Sequence, residues 1–398
     1  MATTTETKES LLFTPITLRG VTLKNRICVA PMCQYSATGR DGVATDWHMV
    51  STGAYAQGGA GLVMLEATAV EARGRISPGC LGLWQDDQIE PLARIARFIK
   101  GQGSVPAIQL AHAGRKASTV VPWDGHHSLP DSEGGWPTIG PSALAFGTPV
   151  WKVPKEATID DINKIKEAWV GAAIRAVKAG FELIELHFAH GYLVSTFLSP
   201  VSNQRRDKYG GSYENRVRLA LEIAGAVRQA LPDTVALGVR VSVADYEPRG
   251  WDLAQTIQLA RELKALGVDF LDCSSGGVSR DIDYNALNTP DTQIEAAGRV
   301  LRETGLPTGA VGKIVDPHHA ENILRSGGAS LIFIGRAFLD NPHWPFVAAD
   351  ALATHDTFQY PPQYDWCIGW KGFFKWRQEA KQGVRQPLLG MSIAQVLP

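Results

Sequence analysis

The sequence predicts an α/β fold, and within that class a (β/α)8 TIM barrel. Three observations point there. Eight short apolar runs recur, at 26–32, 61–68, 106–112, 181–187, 235–243, 268–274, 309–314 and 329–335. Most are rich in Val, Ile and Leu without polar alternation, the pattern of parallel strands buried on both faces. Amphipathic stretches lie between the runs, and the residues best suited to chemistry gather at the runs' carboxyl ends, where a barrel keeps its active site. A doubly wound open sheet is the structural rival, because element order alone does not prove closure.

Residues 1–10 are threonine-rich and charged, with no apolar signal-peptide region, and read as a mobile tail ahead of a barrel at 11–355. Ile89, Leu92, Ile95, Ala96 and Ile99 recur every three or four residues and give a helix one apolar face. Stretches 162–179, 212–231, 253–266, 292–304 and 317–325 read the same way, with Ser212 as an N-cap and Gly267 and Gly305 as stops. Residues 119–154 break the alternation: they are rich in Pro, Gly and Ser and carry Trp123, His126, His127, Trp136 and Trp151. A structureless connection of that length is usually a functional loop. Following the third strand, it should lie over the barrel mouth as a lid. The C-terminal stretch 356–398 is aromatic, with Tyr360, Tyr364, Trp366, Trp370, Phe373, Phe374 and Trp376. Those rings need burial against the barrel or a second copy. A self-complementary contact would make a homodimer or a higher homo-oligomer.

Composition narrows the function. The chain has 398 residues, of which 44% are hydrophobic, enough for a large single core. A net charge of −1 leaves no electrostatic footprint for nucleic acid or an anionic membrane. The five cysteines (Cys28, Cys33, Cys80, Cys273 and Cys367) are scattered, with no Cys-x-x-Cys. That spacing disfavours a disulfide framework, a zinc site or an iron–sulfur cluster, and suggests a reducing, cytoplasmic setting.

The most informative stretch is Leu183-Ile184-Glu185-Leu186-His187-Phe188-Ala189-His190-Gly191-Tyr192. Side chains alternate along a strand, so His187 and His190 converge only if the chain leaves the strand near Phe188–Ala189. Other strand ends offer Pro31-Met32-Cys33-Gln34-Tyr35, Glu66-Ala67-Thr68, Gln109 and His112, Arg240, Cys273-Ser274-Ser275-Gly276-Gly277, Val311-Gly312-Lys313 and Ile334-Gly335-Arg336. Glycines 312 and 335, with the cation of Arg336, sit where this fold usually holds a phosphate. A tight turn and a surface ion pair are the plainer reading. Paired histidines could also ligate zinc in a metal-dependent lyase, but no third ligand is evident.

Six motifs, in order and at barrel spacing, resemble the old yellow enzyme family of FMN-dependent ene-reductases, in its bacterial or thermophilic-like branch. They are Leu23-Lys24-Asn25-Arg26, Pro31-Met32-Cys33-Gln34-Tyr35, Gln109-Leu110-Ala111-His112-Ala113-Gly114-Arg115, His187 to Leu193, Tyr209 to Arg216, and Phe333-Ile334-Gly335-Arg336. The resemblance implies FMN across the barrel mouth, taking hydride from NADPH or NADH and passing it to the β-carbon of an activated alkene. It implies His187 and His190 as donors to the acceptor oxygen, Tyr192 as proton donor to the α-carbon, and Cys33 as a thiol tuning the flavin. Pro31, Met32, Ala67, Gln109, His187, Arg240, Gly312, Gly335 and Arg336 would hold the cofactor, with no metal. Tyr35 and Trp366 would line the substrate pocket. The chain departs from this branch after Gln363-Tyr364, where Asp365-Trp366 stands instead of an arginine that reaches a neighbouring subunit. A dienoyl-CoA reductase type lacks its cysteine cluster here. A non-catalytic flavin-binding or scaffold barrel is disfavoured by the complete His–His–Tyr set.

Overall fold

The computed structural model describes residues 9–280, 282, 292–354, 358–368, 376, 377, 379 and 380. Two short strands, β1 (Ile16–Leu18) and β2 (Val21–Leu23), form an antiparallel hairpin. Eight parallel strands then close a barrel: β3 (Ile27–Val29), β4 (Leu62–Ala69), β5 (Val105–Ala111), β8 (Leu183–Phe188), β9 (Ala236–Ser242), β10 (Phe270–Ser274), β11 (Thr308–Val311) and β12 (Leu331–Ile334). Strands β6 (Ile139–Gly140) and β7 (Lys155–Glu156) pair apart from it. Closure decides against the open sheet, and each of the eight expected runs overlaps one barrel strand.

The helices are α1 (Asp46–Gln57), α2 (Ile89–Gly101), α3 (Ile159–Lys178), α4 (Leu193–Leu198), α5 (Tyr213–Ala230), α6 (Leu253–Ala265), α7 (Thr292–Thr304), α8 (Pro317–Arg325), α9 (Arg336–Asp340), α10 (Trp344–Ala351) and α11 (Pro362–Ile368). Six of them match the expected amphipathic stretches. Helix α3 starts earlier than its apolar face because Thr158 and Asp161 cap it reciprocally. Gly267 and Gly305 take positive φ of 89° and 63° just past α6 and α7, the left-handed step that ends a helix. None of the described helices is long and apolar enough to cross a membrane.

Inside the barrel, the amino-terminal half is dry. Leu62, Met64, Val105, Leu183, Phe270 and Phe333 fill it, and Leu18, Val21 and Leu23 of the hairpin plug its lower opening. Phe270 and Phe333 stack with centroids 6.0 Å apart. Glycines on neighbouring strands make the room: a Cβ on Gly238 would lie 2.1 Å from Phe270, and one on Gly309 2.5 Å from Phe333. The larger core fills the layer between strands and helices.

Residues 1–8 of the expected tail lie outside the described residues. Ser10, also placed in that tail, is buried and donates to Glu321 Oε2 at 2.8 Å, and the same carboxylate accepts the amides of Leu11 and Leu12. Segment 119–154 is not structureless. It holds a short 3-10 turn at Asp131–Glu133 and strand β6, and the Trp136 indole donates to the Arg73 carbonyl at 2.9 Å. Of the aromatic extension, Trp370, Phe373 and Phe374 lie outside the described residues. Phe358 packs edge-on against Phe13 and Phe346, away from the barrel mouth.

Candidate active site

Strand β8 ends at Phe188, and the chain then turns sharply. His190 takes φ 62° and Gly191 φ 69°, both left-handed. Glycine is required at 191 because a Cβ there would sit 2.0 Å from the Gly277 carbonyl oxygen. Ser242 Oγ accepts from the His190 amide at 2.9 Å, and the Lys116 ammonium donates to the His190 carbonyl at 2.8 Å. This turn carries His190 back towards His187, with ring centroids 5.0 Å apart at 74°. Tyr192, just before α4, places its ring 5.2 Å from His187. His187 thus touches both other rings, and the chain leaves the strand at Phe188, where the strand-exit argument places the turn.

Both imidazoles are held far below their ordinary pKa. Burial is the main cause for each. Arg240 and Lys116 then act on His187, while His187, Arg240 and Lys116 act on His190. They are therefore neutral at physiological pH, each with one N–H to give. His190 Nε2 lies 2.6 Å from Ser274 Oγ. His187 Nδ1 is buried with no hydrogen-bond partner. Burial pushes the Tyr192 and Tyr35 phenols up, so both keep their protons. Burial also raises the Cys33 thiol, with the charge of Glu66 second, and the sulfur is within hydrogen-bond reach of Tyr35 and of the Ala67 backbone. Cys33 thus stays a thiol rather than a nucleophilic thiolate. Desolvation pulls Lys116 down to about 7; its ammonium stands 4.3 Å from the Phe146 ring and 5.1 Å from that of Tyr192.

Beneath the histidines the barrel interior is charged. Gln109 on β5 donates to Glu185 Oε1 on β8 at 2.7 Å. Arg240 on β9 lies 3.2 Å from Asp272 on β10, directly across the ladder. Ala67 pairs in register with Gln109. At the last strands, Gly312 has φ 124°, and a Cβ there would collide with the Gln293 amide at 2.4 Å. In the orientation that satisfies both its ends, that amide donates to the Val311 carbonyl at 2.7 Å and accepts from the Ser275 amide at 3.0 Å. Gly335 begins α9 with exposed Arg336 next to it. A Cβ added to Gly335 would lie 3.4 Å from Met32 Sδ, so the ends of the first and last barrel strands adjoin.

The mouth therefore gathers Pro31, Met32, Cys33, Tyr35, Ala67, Gln109, His187, His190, Tyr192, Arg240, Gly312, Gly335 and Arg336. Trp366 is not brought to it: this residue stands half exposed on α11, its indole donating to the Gln363 carbonyl at 3.0 Å. Tyr35 and Tyr192 line a cavity of about 250 Å³ whose remaining walls include Lys116, Val120, His126, Phe146 and Trp151, several of them from segment 119–154. His112 is occupied elsewhere, on Glu71 at 2.7 Å and the Gly114 amide at 3.0 Å. Sequence reasoning gave no role to Lys116, Glu185, Asp272, Ser242 or Ser274. A signal existed for two of them: Glu185 precedes His187 by two positions and so shares its face, and Asp272 interrupts an apolar run.

The model of the NADH:flavin oxidoreductase / NADH oxidase family matches residues 11–355. The chain belongs to this family. An NADH:flavin oxidoreductase of Gibberella zeae is 45% identical over 376 residues, covering 91% of this chain and 90% of its own. An NADPH dehydrogenase of a Geobacillus species is 43% identical over 363 residues, covering 91% and 99%. Among solved structures, an old yellow enzyme homologue from Zymomonas mobilis matches with TM-score 0.69 at 27% identity, over 88% of this chain and 97% of that one. Morphinone reductase matches with TM-score 0.71 at 28% identity, over 86% and 90%.

As a member of the NADH:flavin oxidoreductase family, this chain is an NAD(P)H-dependent oxidoreductase with FMN as cofactor. The donor set at the mouth fits that group. His187 Nδ1 is buried with no hydrogen-bond partner, and Arg240, whose Nε lies 3.2 Å from Asp272 Oδ2, brings a guanidinium to the same end of the barrel. Gln109 spends its amide N–H on Glu185 and keeps its own oxygen free to accept. A flavin's pyrimidine edge presents carbonyls, ring nitrogens and an N–H, the complement of these groups. Among the described residues no cluster of three or more His, Cys, Asp or Glu side chains is placed to hold a metal ion.

Proposed function

We propose that this protein is an ene-reductase, reducing the carbon–carbon double bond of an α,β-unsaturated carbonyl or nitro compound at the expense of NADPH or NADH. The observation that carries the reading is the convergence of two neutral imidazoles 5.0 Å apart with a protonated phenol 5.2 Å from one of them. When bound, FMN supplies hydride transfer, accepting from the nicotinamide and delivering to the alkene's β-carbon. Gln109, Ala67 and Arg240 would hold its pyrimidine edge, and Gly312, Gly335 and Arg336 its phosphate. The remaining work falls to the chain. His187 and His190 donate N–H to the substrate's acceptor oxygen, which gains negative charge as hydride adds. Fixed donors aimed at such an oxygen are worth about 3–4 kcal/mol each in other enzymes. Neutrality of the imidazoles matters, because each then polarises the oxygen without surrendering a proton to it. Tyr192 gives its proton to the α-carbon. Tyr35 closes the opposite side of the cavity, and segment 119–154 bounds substrate size.

Trp366 and Trp376 are 50% and 61% exposed, which supports reading the extension as a contact with a second copy in a homo-oligomer. The names of the bacterial relatives favour NADPH as donor. The decisive experiment is anaerobic stopped flow on the purified protein. A bound yellow flavin should be bleached by NADPH and recoloured by cyclohexenone. Colourless protein that ignores added FMN, or reduced flavin that no enone, enal, maleimide or nitroalkene reoxidises, would end the reading.

A further inference from the structure

One buried ionic group near the mouth has no part in the chemistry above. Along β4, Leu62 and Met64 face the barrel interior, while Val63 and Leu65 face the helices. Strict alternation would send Glu66 inward and Ala67 outward. The ladder instead pairs Leu65 with Ile108 and then Ala67 with Gln109, so Glu66 is an extra residue in a β-bulge. Bulges re-aim side chains, and next to active sites they are common. Here the bulge does two things. It turns Ala67 inward beside Gln109, and it swings the Glu66 carboxylate towards the helix layer.

There Glu66 is only 4% exposed and binds two partners. Its Oε2 accepts from the Gln34 amide at 3.0 Å, and its Oε1 lies 3.2 Å from His48 Nε2. His48 cannot turn away, because its Nδ1 accepts from the Thr45 amide at 2.9 Å as part of the cap of α1. Thr45 Oγ1 in turn donates to the Ser36 carbonyl at 3.1 Å. Residue 34 lies between Cys33 and Tyr35, and Tyr35 is held at φ 52°.

We propose that Glu66 is the positioning residue of the Met32–Tyr35 loop: it fixes Cys33 and Tyr35 through the Gln34 amide and sets a negative charge beside the Cys33 sulfur. This rests on the reading above, in which Cys33 and Tyr35 face the flavin and substrate. The titratable groups around the sulfur are Glu66, Cys80, Tyr35 and Tyr192. Of these Glu66 is the one carboxyl group.

Two substitutions separate reach from charge. E66Q keeps an oxygen for the Gln34 amide and removes the charge. E66D keeps the charge on a side chain one methylene too short. Site-resolved alkylation of Cys33 by iodoacetamide, read by peptide mass spectrometry on the flavin-loaded protein, gives the pH profile. In E66Q the profile should move about one pH unit lower, with KM for cyclohexenone within about twofold of wild type. In E66D the profile should stay in place while KM rises about tenfold, because Tyr35 is no longer held. An unmoved profile in E66Q, or an unmoved KM in E66D, overturns the proposal. Should E66D not fold, the E66Q profile still decides. Should the ene-reductase reading itself be wrong, wild type would show no enone turnover, yet the Cys33 profiles of wild type and E66Q would remain comparable.

Discussion

The two ends of this barrel use the same strands for opposite purposes. Inward positions on β8 run Leu183, Glu185, His187; on β9, Ala236, Gly238, Arg240; on β10, Phe270, Asp272, Ser274. Each goes from apolar to polar within four residues. The lower half is sealed by the hairpin and stabilises the fold: burying one Leu or Phe there contributes about 1.5–3 kcal/mol. In the upper half, His187 Nδ1 is buried without a hydrogen bond, and Glu185 and Asp272 are buried against Arg240, whose Nε lies 3.2 Å from Asp272 Oδ2. A buried polar group left unsatisfied costs about 1–3 kcal/mol. A short barrel can carry that load only because its other end is dry. The stability and the chemistry are thus segregated along the strand axis, and substitutions at the two ends should separate cleanly.

The largest separation belongs to Tyr192→Phe. Loss of a positioned proton donor slows a reaction by about 10²–10⁴-fold. The reoxidation of reduced flavin by an alkene should fall by that factor, while reduction by NADPH changes little and the thermal midpoint holds. Equal slowing of both half-reactions would mean that Tyr192 shapes the cavity rather than donating a proton. The opposite pattern is expected from Phe333→Ala, which opens a void against Phe270 in the lower half. It should cost about 3–5 kcal/mol in urea unfolding and leave both half-reactions near wild type. If the kinetics fell along with stability, the two ends would not be independent. His187→Ala comes next. It should reduce alkene reduction by about 10²–10³-fold, weaken enone binding and leave the unfolding midpoint unchanged or raised, since a costly buried ring is removed.

The same segregation explains what could be read from the sequence. The strands were legible because their lower inward residues and outward residues are mostly apolar, so each run announces itself. The site was legible where one turn concentrates His187, His190 and Tyr192. Helix α1 was not, because Trp47, Met49 and Val50 are spread around it rather than along one face, and Trp47 and Val50 are exposed. Its clearest mark is the Thr45–His48 cap, a local hydrogen-bond pattern rather than a periodicity. Helix α4 is buried on every side and so shows no amphipathic stripe. The bulge at Glu66 leaves no trace in composition. It exists only in the register between β4 and β5, a tertiary property. Trp366 was expected in the pocket from one dipeptide; it stands half exposed on α11 and is not among the residues lining the cavity beside Tyr35 and Tyr192.

The smallest expected effect tests the premise that the upper half is electrostatically burdened. Glu185 and Asp272 face a single arginine in a site sealed from water. Burial raises both carboxyls, and the charge of Asp272 raises Glu185 further, against the pull of Arg240 and Gln109. The folded protein therefore holds a proton on Glu185 at pH values where the unfolded chain has released it. A state that binds more protons loses stability as pH rises. This contribution is fully present below the ordinary carboxylate range and is lost as pH climbs towards the raised value. Glu185→Gln mimics the protonated acid at every pH. Flavin-free wild type and E185Q should then unfold at similar urea concentrations near about pH 4. The variant should gain on wild type as pH rises, by less than about 1.4 kcal/mol per pH unit, the ceiling for one proton. His187, His190 and Lys116 have lowered pKa values and tilt the profiles the other way. They are common to both proteins, so their effect largely cancels in the difference. A difference that stayed flat with pH would mean that Glu185 is ionised throughout. Arg240 would then be shared between two carboxylates, with less of its charge available to a cofactor above it.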